Sequence, residues 1–162
     1  MRRSCPEPYN QQAQSSYSLA QELLQSIRHA VSDLREDHTV DLAAALATLV
    51  EGIPDIAVSL DWPKSLQIDS VQHAEALFYC VQEAATNTLK HAQASRLTIK
   101  ARTQENQLTV WIEDDGHSSG SFEPGNGIKG MQERIAAIEG KLHWQTGEAG
   151  TLIQMNIPLG AA

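Results

Sequence analysis

SVQHAEALFYCVQEAATNTLKHA, residues 70–92, reads as one long helix. Cys80 falls in its apolar middle and reads as a small core residue. Toward the C-terminal end, Glu83, Asn87 and His91 recur every four residues, so a helix places them on one face. Asparagine is a poor interior helix residue, and Thr86 and Thr88 flank it, which points to a demand other than helix propensity. A solvated polar face would meet that spacing. A ligand face would meet it too, because an amide oxygen beside a carboxylate offers the hard oxygen donors that suit Mg²⁺ carried on a triphosphate.

Outward from this helix, both flanks alternate between elements. Upstream, residues 1–18 carry two prolines with many Gln and Ser and read as a disordered arm. From residue 19, Leu23, Ile27, Ala30 and Leu34 step by four, three and four, a helical stripe that ends near Glu36. A second helix follows Asp41 (DLAAALATLVEGI) and stops at Gly52 and Pro54. The two read as a packed pair, or the first belongs to a dimerising bundle. Residues 55–61 alternate as a strand, with Ile56, Val58 and Leu60 on one face.

Downstream, Leu97/Ile99/Ala101 and Leu108/Val110/Ile112 mark two strands joined by a polar turn around 104–107. A Gly/Ser/Pro-rich loop covers 115–127, a helix covers 128–139, and strands at 142–146 and 151–158 close the chain around Gly147–Gly150. Such an order predicts an α+β fold, a two-layer sandwich with helices on one face of a mixed sheet. Trp111 falls on the other face of that sheet, as edge packing or as a docking patch.

Of ten glycines, eight lie between 116 and 150. Three clusters stand out: Asp114-Asp115-Gly116 at a strand end, Gly125-Asn126-Gly127 before a helix, and Gly147-Glu148-Ala149-Gly150-Thr151 between strands. Glycine lets main-chain N–H groups approach an anion, and a helix N-terminus favours phosphate. Each cluster alone also suits an ordinary loop or hairpin.

Together, EAATNTLKHA, IEDDG, GNGIKGMQER and GEAGT…IPL resemble, in order and spacing, the ATP-binding domain of two-component sensor histidine kinases. The likeness is greatest to the nitrate/nitrite-sensor and DesK-like class, within the wider GHKL (Bergerat-fold) group. It covers about residues 41–159, with a weaker likeness over 19–37 that implies a partial dimerisation-bundle helix. The resemblance implies ATP and Mg²⁺ as ligands, Asn87 as the Mg²⁺ ligand and Glu83 as a catalytic base or orienting group. It implies that Lys90 and His91 lie near the phosphates and that Asp114 accepts from the adenine amino group. Gly116 would let the base rest on the backbone. Gly125, Gly127 and Ile128 would form the lid hinge and following helix, and Gly150 and Thr151 would stand beside the adenine. Arg134 matches a recurrent arginine with a packing or phosphate role.

Two departures carry weight. The first glycine box usually runs Asp-x-Gly-x-Gly, and here Ser118 replaces its second glycine. Upstream, the class presents a phospho-accepting histidine in a run like HDxxxQ, which this sequence lacks. His29 lies in SIRHAVSDLRED, which resembles the second bundle helix rather than the first. His38, His73 and His117 also match no motif. The expected function is therefore the catalytic ATP-binding module of a histidine kinase. Its acceptor histidine would come from another chain or from missing residues, its partner would be a response regulator, and a homodimer would form through 19–37. A stand-alone GHKL Ser/Thr kinase of anti-sigma-factor type and a non-catalytic ATP-binding module are the alternatives.

Composition agrees. The 162 residues suit one domain with an extra segment, and a net charge of −8 disfavours non-specific nucleic-acid binding. Neither a signal peptide nor a bilayer-length apolar run is legible, so a cytoplasmic setting is expected, compatible with the soluble end of a membrane receptor. Cys5 and Cys80 show no metal-ligand spacing.

Overall fold

A computed structural model describes residues 41–117 and 125–159, with His91 and Ala92 described by backbone alone. The chain divides into two units, Met1–His38 and Thr39–Ala162, and the described residues lie in the second. The expected arm at 1–18, the bundle helix at 19–37 and Ser118 lie outside the described residues.

Helix α1 spans Leu42–Glu51, and the Asp41 carboxylate accepts from the Ala44 N–H at 2.9 Å as its N-cap. Strand β1 is Ala57–Asp61. Asp55, expected in that strand, instead takes a positive φ of 65° and turns the chain ahead of it. Helix α2 is Val71–Asn87, capped by Ser70, and continues as a π-helical turn over Thr88–Ala92. This corrects the single uniform helix read over 70–92. A π turn closes i→i+5 bonds in place of the i→i+4 bonds of the α-helix before it. Gln93, at φ 47°, then stops the helix.

Strands β2 (Arg96–Gln104) and β3 (Gln107–Asp114) form a hairpin. Its two loop residues, Glu105 and Asn106, both have positive φ (48° and 64°), the requirement of a tight turn that follows the sheet twist. Helix α3 is Asn126–Ala136, starting two residues before Ile128. Strands β4 (Lys141–Gly147) and β5 (Gly150–Pro158) close the fold.

The sheet order is β1-β2-β3-β5-β4. β1 runs parallel to β2 and all other pairs are antiparallel, so the sheet is mixed. One row of the register joins Ile99, Ile112, Ile153 and Trp144 across four strands. The core is built from Leu97, Ile99, Ala101, Leu108, Val110, Ile112, Ile153, Met155 and Ile157 of the sheet, all buried, as are Leu77, Phe78 and Val81 of α2 and Met131 and Ile135 of α3. Truncating a fully buried member such as Leu77 to Ala would cost about 2–5 kcal/mol. The opposite face carries Lys100, Arg102 and a half-exposed Trp111, whose register neighbours are Lys100 and Gln154. The two-layer α+β sandwich expected from the sequence is the fold observed. Among the described residues, no helix is long and apolar enough to cross a membrane.

Candidate functional site

Asp114 closes β3 and is 8% exposed. A buried carboxylate is costly unless donors surround it, and three do. Its Oδ1 accepts from the main-chain N–H groups of Gly116 (3.0 Å) and Thr151 (3.2 Å). Its Oδ2 accepts from the Thr88 hydroxyl (3.2 Å). The bond from Gly116 is local, since aspartate side chains readily turn back onto the N–H two residues on. The bond from Thr151 needs β5 to begin beside the end of β3. Gly150 permits that approach: its φ is +121°, and a Cβ there would overlap the Asp114 carbonyl oxygen.

The C-terminal end of α2 meets the same place. Glu83 and Asn87 are half-buried, and Lys90 is exposed. The Glu83 carboxylate lies against Gly127, where a Cβ would overlap its Oε1. Thr88 is 3% exposed and also sits 3.0 Å from the Ala84 carbonyl oxygen. Thus one helix end touches both glycine-rich boundaries, through Glu83 to Gly127 and through Thr88 to Asp114. The side chain of His91 lies outside the described residues.

Gly125 precedes α3 in extended conformation and supplies no side-chain cap. The first N–H groups of α3 therefore lack the usual side-chain acceptor and, with the helix dipole, suit an anion. Ile128 is 4% exposed and belongs to the core, so its route to a ligand is through its backbone. The Arg134 guanidinium stacks over the Tyr79 ring at 4.7 Å, which joins α3 to α2.

Around this centre, Asp115 clamps β3 to the start of β2. It accepts from the Ser95 hydroxyl (2.7 Å) and from the N–H groups of Ser95 and Arg96 (2.8 Å each). The Ser95 hydroxyl and the Arg96 N–H lead in holding its pKa down at about 2. His117, which matches no motif, places Nδ1 2.8 Å from the Glu148 carbonyl oxygen and so ties the loop after β3 to the β4–β5 turn. Burial pushes the Cys80 thiol up to about 12, which makes it an inert core residue.

The structure therefore brings together Glu83, Gly127, Asp114, Gly116, Gly150 and Thr151 from four separate stretches of sequence. Thr88 stands out in the sequence only as a neighbour of Asn87. A signal is nonetheless present, for Thr88 lies eleven residues after Leu77 and seven after Val81, on the buried stripe of α2.

No protein-family model matches the chain. Its relatives are sensor histidine kinases. DesK of Bacillus subtilis is 30% identical over 158 residues, covering 94% of this chain and 42% of the relative. UhpB of Salmonella typhimurium, a signal transduction histidine-protein kinase/phosphatase, is 32% identical over 141 residues, covering 82% of this chain and 28% of the relative. The chain spans less than half the length of these curated relatives. Among solved structures, the histidine kinase domain of a blue-light activated kinase from Erythrobacter litoralis matches with a TM-score of 0.71 at 22% identity, over 89% of this chain and 75% of that one. The ATP-binding domain of PrrB from Mycobacterium tuberculosis matches with a TM-score of 0.59 at 20% identity, over 74% and 92%. The described body thus has the histidine-kinase type of ATP-binding fold. By sequence, the chain is similar to sensor histidine kinases such as DesK.

Proposed function

We propose that this chain is the Mg-ATP-binding catalytic module of a sensor histidine kinase. The observation that carries it is the joining of four motifs at one place: Asp114 held by Gly116, Thr151 and Thr88, with Glu83 of the same helix lodged against Gly127. In this reading the free acceptor capacity of Asp114 accepts a hydrogen bond from the adenine amino group, and Gly116, Gly150 and Thr151 frame the base. The phosphates run toward Asn87, Lys90 and His91, and toward the N-terminus of α3 at Gly125, Gly127 and Ile128.

Among the described residues, no three His, Cys, Asp or Glu side chains gather as a metal site. A single amide donor, Asn87, fits a cation that arrives on the phosphates and keeps most of its other ligands from them and from water. When bound, Mg²⁺ would neutralise phosphate charge and so favour transfer. Transfer breaks the bond between the γ-phosphorus and the β–γ bridging oxygen and forms one from phosphorus to an imidazole nitrogen. Glu83 orients that imidazole or takes the proton it loses. In this reading the acceptor histidine is supplied by another chain or by residues outside this sequence. The phosphoryl group then passes to a response regulator.

Titration with ATP, with and without Mg²⁺, tests the site. Asn87→Ala should abolish the Mg²⁺-dependent gain, and binding and transfer both unchanged in that variant would sink the metal assignment. Incubation with a bundle carrying an acceptor histidine should yield an acid-labile phosphoprotein. An acid-stable product would point instead to a Ser/Thr kinase of anti-sigma-factor type.

A further inference from the structure

Thr88 is the one side-chain donor to Asp114 among the described residues, and its position suggests more than helix packing. A helical threonine commonly returns its hydroxyl to the carbonyl four residues back, and Thr88 does reach Ala84 at 3.0 Å. But the same hydroxyl stands 3.2 Å from Oδ2 of Asp114, on a side chain only 3% exposed. A hydroxyl carries one proton, so two acceptors compete for it.

The other bonds to Asp114 make this competition consequential. Both main-chain donors, Gly116 and Thr151, meet the same oxygen, Oδ1. Two donors on one oxygen fix a point; they leave the carboxylate plane free to tilt about it. The hydroxyl of Thr88 is the donor that reaches Oδ2, and it comes from a third element, the first residue of the π turn after α2. It fixes the plane. Oδ2 is then presented as an acceptor at one set angle to whatever lies in the pocket. Should a ligand donor take over part of Oδ2, the hydroxyl can turn to the Ala84 carbonyl oxygen and no buried donor is stranded.

We propose that Thr88 is a positioning residue that sets base specificity, by holding Oδ2 of Asp114 where it accepts from a 6-amino purine and repels a 6-oxo purine. This rests on the adenine-nucleotide reading of the site.

The test compares Mg-ATP and Mg-ITP, which share phosphates and ribose and differ at purine position 6. Binding is measured on the full chain and on Thr88→Val, Thr88→Cys and Thr88→Ser, with melting temperatures recorded alongside. The wild type should prefer ATP. Thr88→Val should lose about tenfold in ATP affinity while ITP affinity stays within about twofold, the size expected for one hydrogen bond to a charged group. Thr88→Ser, which keeps the hydroxyl, should restore the preference. Thr88→Cys, which lacks the methyl group and carries a weaker donor, should fall between them and decides the same question if the valine variant does not fold. Equal losses for ATP and ITP, or an unchanged preference in the valine and cysteine variants, would overturn the inference while leaving the site intact. A wild-type chain that binds neither nucleotide would overturn the site reading, and the inference with it.

Discussion

A methyl group on Gly150 would overlap the main-chain carbonyl oxygen of Asp114, at a φ of +121° that side chains rarely adopt. Backbone on both sides makes this contact rigid. Gly150→Ala should therefore cost about 2–4 kcal/mol of stability, since strain and overlap act together. It should weaken nucleotide binding as well, because β5 can no longer bring the Thr151 N–H to Asp114. Urea denaturation and an ATP titration on the same variant check both halves.

Gly127 gives the opposite result. A Cβ there meets the Glu83 carboxylate, the far end of a side chain that can swing away. Alanine also favours the helix by up to about 1 kcal/mol over glycine. Gly127→Ala should thus leave stability within about 1 kcal/mol of wild type. Displacing Glu83, however, should lower the rate of phosphotransfer about tenfold or more, the scale of a positioned general base. Normal transfer in a variant of normal stability would show that the contact between Glu83 and Gly127 has no part in the chemistry.

Asp115 sets a pH dependence. Its pKa is depressed in the folded chain from 3.8 to about 2, first by the Ser95 hydroxyl and then by the Arg96 N–H. A depressed carboxylate stabilises the folded state above its unfolded pKa and loses that contribution as pH falls through the folded value. Asp115→Asn should be less stable than wild type at pH 6, and the gap should narrow between about pH 4 and pH 2. Chemical denaturation midpoints of the pair across that range are the measurement.

Cys80 should be unreactive. Burial is the main reason its thiol is raised to about 12; Arg134 lowers it and Glu83 raises it slightly. In a Cys5→Ser background, a disulfide reagent at pH 8 should modify the native chain more than about a thousandfold slower than the unfolded chain, because only the thiolate attacks. Rapid modification of the folded protein would contradict the packing of α2 against α3.

Much of this was legible in the sequence. Alternation of period two marked β2, β3 and β5, because a strand buried on one face must repeat its apolar residues every second position. The helix of α2 was legible, though not its π-helical end, and Asp41 announced the start of α1. Four motifs in order carried the resemblance to histidine-kinase ATP-binding domains. The site's layout was less accessible. Nothing local states that β5 inserts between β3 and β4, or that β1 joins β2 in parallel, since strand order follows from long-range packing.

The π turn at Thr88 and the joining of Glu83 with Gly127 likewise depend on partners tens of residues away. So does the role of Thr88. Its spacing from Leu77 and Val81 predicts burial, but a buried threonine is satisfied equally well by its own helix. By itself, the sequence determined where helices, strands and glycine-rich turns fall, because helix and strand periods and glycine placement are short-range properties. Only the tertiary structure decided that Thr88 points at Asp114 and that Gly150 must be glycine. Both are consequences of two backbones meeting, and a single stretch of chain carries no record of that meeting.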